Sequence, residues 1–365
     1  DESITLLKNA DNVLPLKSNA RILVAGPNAN SMRTLNGGWS YSWQGEKVEE
    51  FAQGYNTIYE ALQNKFGAAN VKYEAGVTYK MDGQYFEENL PEINKAVAAA
   101  SGVDYIVLCL GENSYCETPG NLDELTLSEN QIELAKALYR TGKPVILVLN
   151  EGRPRIIRNI EPDAKAVIQA YLPGNFGGNA LADILAGDVN PSGKLPYTYP
   201  KFEQSLITYD HKPSQNLAGT MEGAYDYGAR TDVQYPFGFG LSYTTFEYSN
   251  LSINKKDFVS DDLLTVSVDV KNTGSIVGKE SVLLFTSDMV ASLSPDVRRL
   301  RAFGKIELQP GESKNVSLEI PANDLAFVNA EGKWTIEEGE FLVQVGNLTE
   351  TVHCSETRVW ETANR

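Results

Sequence analysis

The stretch Asp104-Tyr105-Ile106-Val107-Leu108-Cys109-Leu110 runs directly into Gly111-Glu112-Asn113-Ser114-Tyr115-Cys116-Glu117-Thr118-Pro119-Gly120-Asn121. After Asp104 the first segment is uniformly apolar, which predicts a strand covered on both faces. The second segment, here called the carboxylate loop (residues 111–121), holds two carboxylates, an aromatic ring and a Pro-Gly turn. In open α/β sheets, ligands bind just outside the carboxyl ends of the strands. The carboxylate loop is therefore the first candidate for a functional site, and its chemistry suits a general acid.

On both sides of this stretch the sequence alternates between strand-like and helix-like patterns. Apolar strand-like runs lie at 21–27, 71–75, 105–110, 145–149 and 166–171, and helix-like patterns at 55–66, 92–100, 128–139 and 179–185. Residues 3–16 read as either a short helix or an extended segment. Repeated strand–helix alternation predicts the α/β fold class, with a mostly parallel sheet and helices on both faces. The predicted first domain spans residues 1–205.

The pattern changes twice in the second half of the chain. Residues 206–244 lose regular periodicity and carry Gly and aromatic clusters at 222–228 and 235–240, which predicts a connector that packs its rings on a surface. From residue 245 the apolar residues alternate with a period of two. The clearest strand signals lie at 264–270, 280–285, 301–308, 314–320 and 339–346. Short strands separated by Gly and Asn turns predict an all-β sandwich over residues 245–365.

Composition excludes several classes of function. The 365 residues carry a net charge of −16, which disfavours binding to nucleic acid or to an anionic membrane surface. Three cysteines make no disulfide framework, and two histidines are too few for a histidine-based metal site. No apolar run approaches the ~18 residues that a membrane span needs. We therefore predict no cofactor, no bound metal, no nucleic-acid partner and no membrane span.

A second informative stretch is Gly37-Gly38-Trp39-Ser40-Tyr41-Ser42-Trp43-Gln44-Gly45. Indoles four residues apart lie on one side of either a helix or a strand, so spacing alone does not separate core from site. The flanking glycines favour a loop, in which both rings could stack on sugar faces. From spacing alone, core packing is the favoured prediction for Trp39, and core and site are equally favoured for Trp43.

Two further stretches are rich in glycine. One is 172–183 (LPGNFGGNALAD) continuing into 187–196 (GDVNPSGKLP), and the other is 235–246 (YPFGFGLSYTTF). A phosphate-binding loop is disfavoured because no Gly-Lys-Ser/Thr arrangement is present. Taken with the Trp-containing stretch, with 2–9 (ESITLLKN) and with 14–16 (LPL), these stretches closely resemble glycoside hydrolase family 3. The resemblance covers essentially the whole chain, with its motifs in the family's order.

The resemblance implies an α/β-sandwich domain, a connector and a fibronectin type III-like domain. Members of the family are typically retaining, exo-acting enzymes that remove β-linked sugars, most often glucose, from non-reducing ends. A retaining mechanism uses two carboxyl groups about 5 Å apart, one as nucleophile and one as acid/base. In this family the nucleophile is an aspartate on an N-terminal (β/α)8 barrel, and the second domain often lends the acid/base. Nothing in this chain resembles the barrel, so we expect that it has been removed and that it is the chain's main partner.

Matching the carboxylate loop to the family's acid/base loop implies that Glu117 is the acid/base, with Glu112 as the rival. Trp43 matches an indole that lines the site for the leaving sugar in some members, whereas Trp39 is implied as a weaker contributor that supports it. Cys116 has no nearby His candidate to activate it, so we predict that it serves packing. The nucleophile is not expected in this chain.

Two alternatives stay open at the sequence level. The chain could be a carbohydrate-binding or scaffolding module without catalysis, since sandwiches frequently serve binding; a flavodoxin-like nucleotide binder is a distant third. The substrate could be a β-D-xyloside instead of a β-D-glucoside, because the two sugars differ at one hydroxymethyl group. The substrate class predicts a secreted or bacterial periplasmic location.

Overall fold

The structure, a computed structural model, describes residues 1–203, 207–215 and 232–361. Its first part is organised around a six-stranded sheet. In chain order the strands are β1 (Thr5–Asn9), β2 (Ile22–Ala25), β3 (Val71–Tyr73), β4 (Tyr105–Gly111), β5 (Val145–Asn150) and β6 (Ala166–Gln169). They lie side by side in the order β1-β6-β5-β4-β2-β3. All neighbours pair in parallel except β1, which is antiparallel to β6, so the prediction of a mostly parallel sheet is confirmed.

Six α-helices lie within residues 1–203, the first of the described ranges. They are α1 (Met32–Asn36), α2 (Val48–Phe51), α3 (Ile58–Phe66), α4 (Ile93–Ala99), α5 (Glu129–Tyr139) and α6 (Gly177–Ala186). Alternate residues of β4 point to opposite faces of the sheet. Val107 and Cys109 belong to the apolar cluster that includes α3 and α6, whereas Ile106 and Leu108 belong to the one that includes α4 and α5. Helices therefore cover both faces, as predicted.

Local chemistry sets where the helices begin. Helix α3 begins at Ile58 and not at residue 55, because Thr57 and Glu60 form a capping box: the Thr57 hydroxyl accepts from the Glu60 amide and the Glu60 carboxylate accepts from the Thr57 amide. The predicted cap of α5 is confirmed, since the Ser128 hydroxyl accepts from the Gln131 amide at 3.2 Å. In the part of the chain that the structure describes, five short 3₁₀ helices lie at Ala10–Asn12, Ala68–Asn70, Thr118–Gly120, Pro213–Gln215 and Ala322–Leu325.

The connector is described in part, because the predicted aromatic cluster at 222–228 lies outside the described residues. Two short strands, β7 (Tyr199–Pro200) and β8 (Val233–Tyr235), pair with each other. The ring of Tyr209 stacks on Phe237 with centroids 4.1 Å apart. The described connector therefore packs its aromatics as predicted, while the domain boundaries at 205 and 245 stay predictions.

The last part of the chain is a β-sandwich, as predicted. Its strands are β9 (Phe246–Ile253), β10 (Asp257–Phe258), β11 (Leu263–Asn272), β12 (Gly278–Asp288), β13 (Arg299–Leu308), β14 (Ser313–Pro321), β15 (Phe327–Val328), β16 (Trp334–Ile336), β17 (Gly339–Val345), β18 (Leu348–Cys354) and β19 (Arg358–Trp360). Three sheets form, in the orders β10-β18-β17-β12-β13, β14-β11-β9 and β15-β16-β19. Burial along β11 alternates residue by residue, which is the period-two pattern of a strand with one face in a core.

None of the helices in the described ranges is long and apolar enough to cross a membrane. Among the same residues, no group of three or more His, Cys, Asp and Glu side chains is arranged to hold a metal ion.

Candidate active site

The carboxylate loop begins at a glycine that the strand pairing requires. Gly111 ends β4 opposite Asn150, the last residue of β5. A Cβ at Gly111 would lie 2.0 Å from the Asn150 carbonyl oxygen, and its φ is +145°, so a side chain does not fit there. The Gln131 side chain of α5 satisfies the Gly111 backbone, accepting from its N–H at 3.0 Å and donating to its carbonyl at 3.2 Å. The loop therefore leaves the sheet from a fixed point.

Glu112, the rival acid/base, is an internal anchor in this geometry. It is 3% exposed. One carboxylate oxygen accepts from Arg153 Nε at 2.9 Å and from Arg155 Nη1 at 2.8 Å, and the other accepts from the Arg153 backbone N–H at 3.2 Å. A buried carboxylate bound by two guanidinium groups is held in place by charge-assisted hydrogen bonds and faces the protein interior. Glu112 therefore lacks the access to solvent that a proton donor to substrate needs.

Glu117 has the opposite environment. It is exposed, and it precedes the 3₁₀ turn Thr118–Gly120. Its backbone lies at φ 53° and ψ −154°, a region that is costly for any residue other than glycine, by roughly 1–3 kcal/mol. Such outliers persist only where the surroundings hold them, and they cluster at functional sites. Glu117 thus presents its carboxyl group outward from a conformation that the rest of the loop must maintain.

The Trp-containing stretch packs directly against the carboxylate loop. The Gln44 side-chain amide donates to the Cys116 carbonyl at 3.1 Å, and the Gln44 side-chain oxygen accepts from the Cys116 N–H at 3.0 Å. The Cys116 thiol donates to the Trp43 carbonyl at 2.9 Å, and desolvation raises the pKa of this thiol. These contacts agree with the packing role predicted for Cys116. They also bring the two sequence motifs together at the residue before Glu117.

Both indoles of this stretch lie at the surface, which corrects the prediction of core packing for Trp39. Trp39 is 70% exposed and Trp43 is 47% exposed. The Trp39 N–H donates to the Trp43 carbonyl at 2.8 Å and closes a tight loop, in which Trp39 and Tyr41 both have positive φ. This reversal of the chain turns the Trp39 ring away from the core. The sugar-binding roles of the two indoles stay predictions.

The two indoles belong to a larger exposed surface, here called the aromatic face. Its members are large apolar side chains that are at least 42% exposed: Trp39, Tyr41, Trp43, Phe51, Leu172 and Phe176. Tyr41 stacks on Phe51 with centroids 6.0 Å apart, and the Asn175 amide donates to the Tyr41 hydroxyl at 2.6 Å. The glycine-rich stretch at 172–183 therefore contributes to this face. Exposed large apolar side chains grouped in this way indicate a ligand site or an interface.

A third glutamate, Glu151, lies beneath the loop and was missed by the sequence analysis. It is fully buried, and its carboxylate lies 2.8 Å from the Tyr199 hydroxyl. Burial, and next the negative charge of Glu112, raise the pKa of Glu151 to about 8, although the Tyr199 and Arg155 contacts oppose the shift. Glu151, Arg153 and Arg155 directly follow β5. The rule that singled out the carboxylate loop, polar residues after the carboxyl end of a strand, would have found them as well.

Two family models match different parts of this chain. Residues 4–243 match the Glycosyl hydrolase family 3 C-terminal domain, and residues 280–349 match the Fibronectin type III-like domain. The chain is 38% identical to the lysosomal β-glucosidase of Dictyostelium discoideum, covering 95% of this chain and 42% of that protein. It is 35% identical to the periplasmic β-glucosidase of Salmonella typhimurium (94% and 47%) and 34% identical to a β-xylosidase of Formosa agariphila (95% and 47%).

A solved structure of a β-glucosidase from Listeria innocua in complex with glucose superimposes with a TM-score of 0.84 at 29% identity, covering 96% of this chain and 48% of that one. The chain spans about half the length of the curated relatives it matches. The family match covers more than half of this chain. This chain therefore belongs to glycosyl hydrolase family 3, as a C-terminal domain of that family followed by a fibronectin type III-like domain.

Proposed function

We propose that this chain is the C-terminal portion of a retaining, exo-acting β-glycosidase that hydrolyses terminal, non-reducing β-D-glucosyl residues. The observation that carries the proposal is Glu117, an exposed carboxyl group held in a strained conformation at the carboxyl edge of the sheet, directly after Cys116, whose thiol contacts the Trp43 backbone. Glu117 protonates the leaving glycosidic oxygen and then deprotonates the water that hydrolyses the intermediate. The nucleophile comes from a (β/α)8 barrel outside this chain.

The aromatic face supports a partner domain at this site. Closing an active site expels water from it, and Glu117 in this chain alone is open to solvent. Covering the exposed apolar side chains of the aromatic face would also be favourable, because it would remove them from water. A barrel docked on this face would bury the indoles and bring its aspartate to within about 5 Å of Glu117. Trp43 would then stack on the leaving sugar, with Trp39 as a weaker contributor.

The decisive test is Glu117→Gln in the protein in which the barrel accompanies this chain. Cellobiose needs a proton on its leaving oxygen, so its kcat/KM should fall by about 10³-fold. The dinitrophenolate group of a 2,4-dinitrophenyl β-glucoside leaves without protonation, so the first chemical step with this substrate should be nearly unaffected. Added azide should restore turnover and yield β-glucosyl azide. Glu124→Gln, an exposed neighbour, is the matched control and should behave as wild type on both substrates.

The same assay separates Glu117 from its rival. Glu112→Gln leaves two half-buried guanidinium groups without their carboxylate, and it should cost about 3 kcal/mol of folding free energy without any azide rescue. Azide rescue of Glu112→Gln, together with wild-type behaviour of Glu117→Gln, would move the acid/base role to Glu112. Absence of a barrel in the encoded protein and among its co-purifying partners would refute the catalytic proposal altogether.

The exposed indoles also favour a second candidate, a carbohydrate-binding module without catalysis. Titration of this chain alone with cellobiose, followed by Trp fluorescence, distinguishes the two: half an active site should give no saturable signal, whereas a binding module should. Comparison of aryl β-D-glucoside with aryl β-D-xyloside tests the alternative substrate, which the Formosa agariphila relative's name supports. The Salmonella typhimurium relative's name supports a secreted or periplasmic location, which fractionation of cells would test.

A further inference from the structure

Arg153 touches the carboxylate loop at three separated points. At the start of the loop its Nε donates to the Glu112 carboxylate at 2.9 Å. In the middle its guanidinium carbon lies 3.7 Å from the centroid of the Tyr115 ring, which is close cation–π contact. At the end of the loop its Nη1 donates to the Gly120 carbonyl. One side chain therefore ties the beginning, middle and end of the loop together.

Glu117 lies between the second and third of these points. Its positive φ requires that the chain on both sides be held, because a free loop would relax to a less costly conformation. On one side Tyr115 is fixed under the guanidinium, and a Cβ at Gly152 would come within 2.9 Å of the Tyr115 hydroxyl. On the other side the Gly120 carbonyl is fixed by Arg153. The guanidinium thus spans the strained residue.

Arg155 provides a comparison within the same structure. It binds the same Glu112 oxygen at 2.8 Å, but its other bonds go to the carbonyls of Leu125 and Thr126, beyond the carboxylate loop. Loss of Arg155 would weaken the Glu112 anchor and leave the Tyr115 and Gly120 contacts in place. The two arginines therefore share the anchor and differ in whether they span Glu117.

We propose that Arg153 is the positioning residue for the general acid: it holds the carboxylate loop so that the Glu117 carboxyl group is aimed at the leaving oxygen. This inference rests on the proposed function of Glu117. Arg153 does not touch the substrate or transfer a proton in this role. Its planar fork, stacked on Tyr115 while bonded at both ends of the loop, cannot be reproduced by a lysine, which keeps the charge but makes fewer directed bonds.

The test is Arg153→Lys in the barrel-containing protein, assayed on two substrates. A misaimed acid should lower kcat/KM for cellobiose by roughly 10²-fold, because displacements of about 1 Å cost that much. The 2,4-dinitrophenyl β-glucoside, which needs no proton, should lose less than about threefold. Arg155→Lys is the matched control, and it should affect both substrates by the same factor. We call a larger loss of activity on cellobiose than on the dinitrophenyl glucoside a split between substrates. Tyr115→Leu removes only the stacked ring and should show a smaller split than Arg153→Lys. It replaces Arg153→Lys as the test if that variant does not fold.

The outcomes separate this inference from the proposed function. If Glu117→Gln shows the split between substrates while Arg153→Lys and Tyr115→Leu lower both substrates equally, Arg153 is only structural and the inference is overturned. If Glu117→Gln shows no split either, Glu117 is not the acid and both proposals fail. A split in Arg153→Lys that is absent from Arg155→Lys supports the inference.

Discussion

Three glutamates near the carboxyl edge of the sheet have the same chemical group and three different environments. Glu112 is buried between two guanidinium groups, Glu151 is buried beside a tyrosine hydroxyl, and Glu117 is exposed on a strained loop. Charge-assisted hydrogen bonds from the arginines hold the first in place, whereas burial raises the pKa of the second to about 8. Only the third is exposed and therefore accessible to a substrate. Environment, more than residue type, therefore separates the candidate acid from its neighbours.

The raised pKa of Glu151 predicts a pH-dependent stability. Between pH 4.5 and about 8 the folded chain keeps a proton that the unfolded chain releases, so the free energy of unfolding falls as pH rises through this window. Glu151→Gln removes the titration. The melting temperature of Glu151→Gln minus that of wild type should therefore become more positive from pH 5 to pH 8, as measured by differential scanning calorimetry. Exposed Glu319→Gln should show a constant difference, and a constant difference for Glu151→Gln would contradict the raised pKa.

At the scale of elements, the site depends on two loops that pack with no space between them. A Cβ at Gly38 would lie 2.5 Å from the Tyr115 carbonyl oxygen, and one at Gly45 would lie 2.3 Å from the Ser114 hydroxyl. Neither loop belongs to a regular sheet, and the Gln44 side chain provides the paired hydrogen bonds that a strand would. The glycines of the Trp-containing stretch are therefore requirements of this contact as well as turn residues.

Gly38→Ala tests that contact. The added methyl group must displace the Tyr115 backbone, so the carboxylate loop and the Trp-containing stretch should move apart. We expect cellobiose hydrolysis by the barrel-containing protein to fall by about 10²-fold, with a loss of stability of about 1–3 kcal/mol. Gly54→Ala is the matched control, because a Cβ there meets no atom within 4 Å. Wild-type kinetics for Gly38→Ala would show that the loops do not depend on this packing.

The sequence predicts those elements whose own residues determine them. The uniformly apolar run of β4 predicts a strand that is buried on both faces, and the alternating pattern of β11 predicts a strand that is buried on one face. Both patterns are visible in the residues of the strand itself. Strands β15, β16 and β19 are not predicted, because a strand of two or three residues is too short to show a periodic pattern. The site follows the same rule. The carboxylate loop is visible locally, whereas Arg153 acts on Glu112 from 41 positions away, and only the parallel pairing of β4 with β5 brings the two together.

At the scale of the whole molecule, the aromatic face and the carboxylate loop occupy one continuous surface. The Trp39 to Trp43 turn contacts the loop through Cys116, and the Tyr41 ring reaches Asn175 of the glycine-rich stretch. The apolar core lies beneath this surface, where helices cover both faces of the sheet. The surface that remains exposed is therefore also the surface that holds the candidate acid, which is the arrangement expected of an active site completed by another domain.

This arrangement predicts where a barrel domain should protect the chain. Amide hydrogen exchange should be slower at residues 39–45 and 115–120 when the barrel is present than in this chain alone, because docking removes these loops from solvent and limits their opening. Strand β11, in the core of the sandwich, is the internal control and should exchange equally in both samples. Protection confined to the sandwich would place the docking surface elsewhere. Unchanged exchange at both loops would mean that the aromatic face stays open, which would contradict docking of the barrel on this surface.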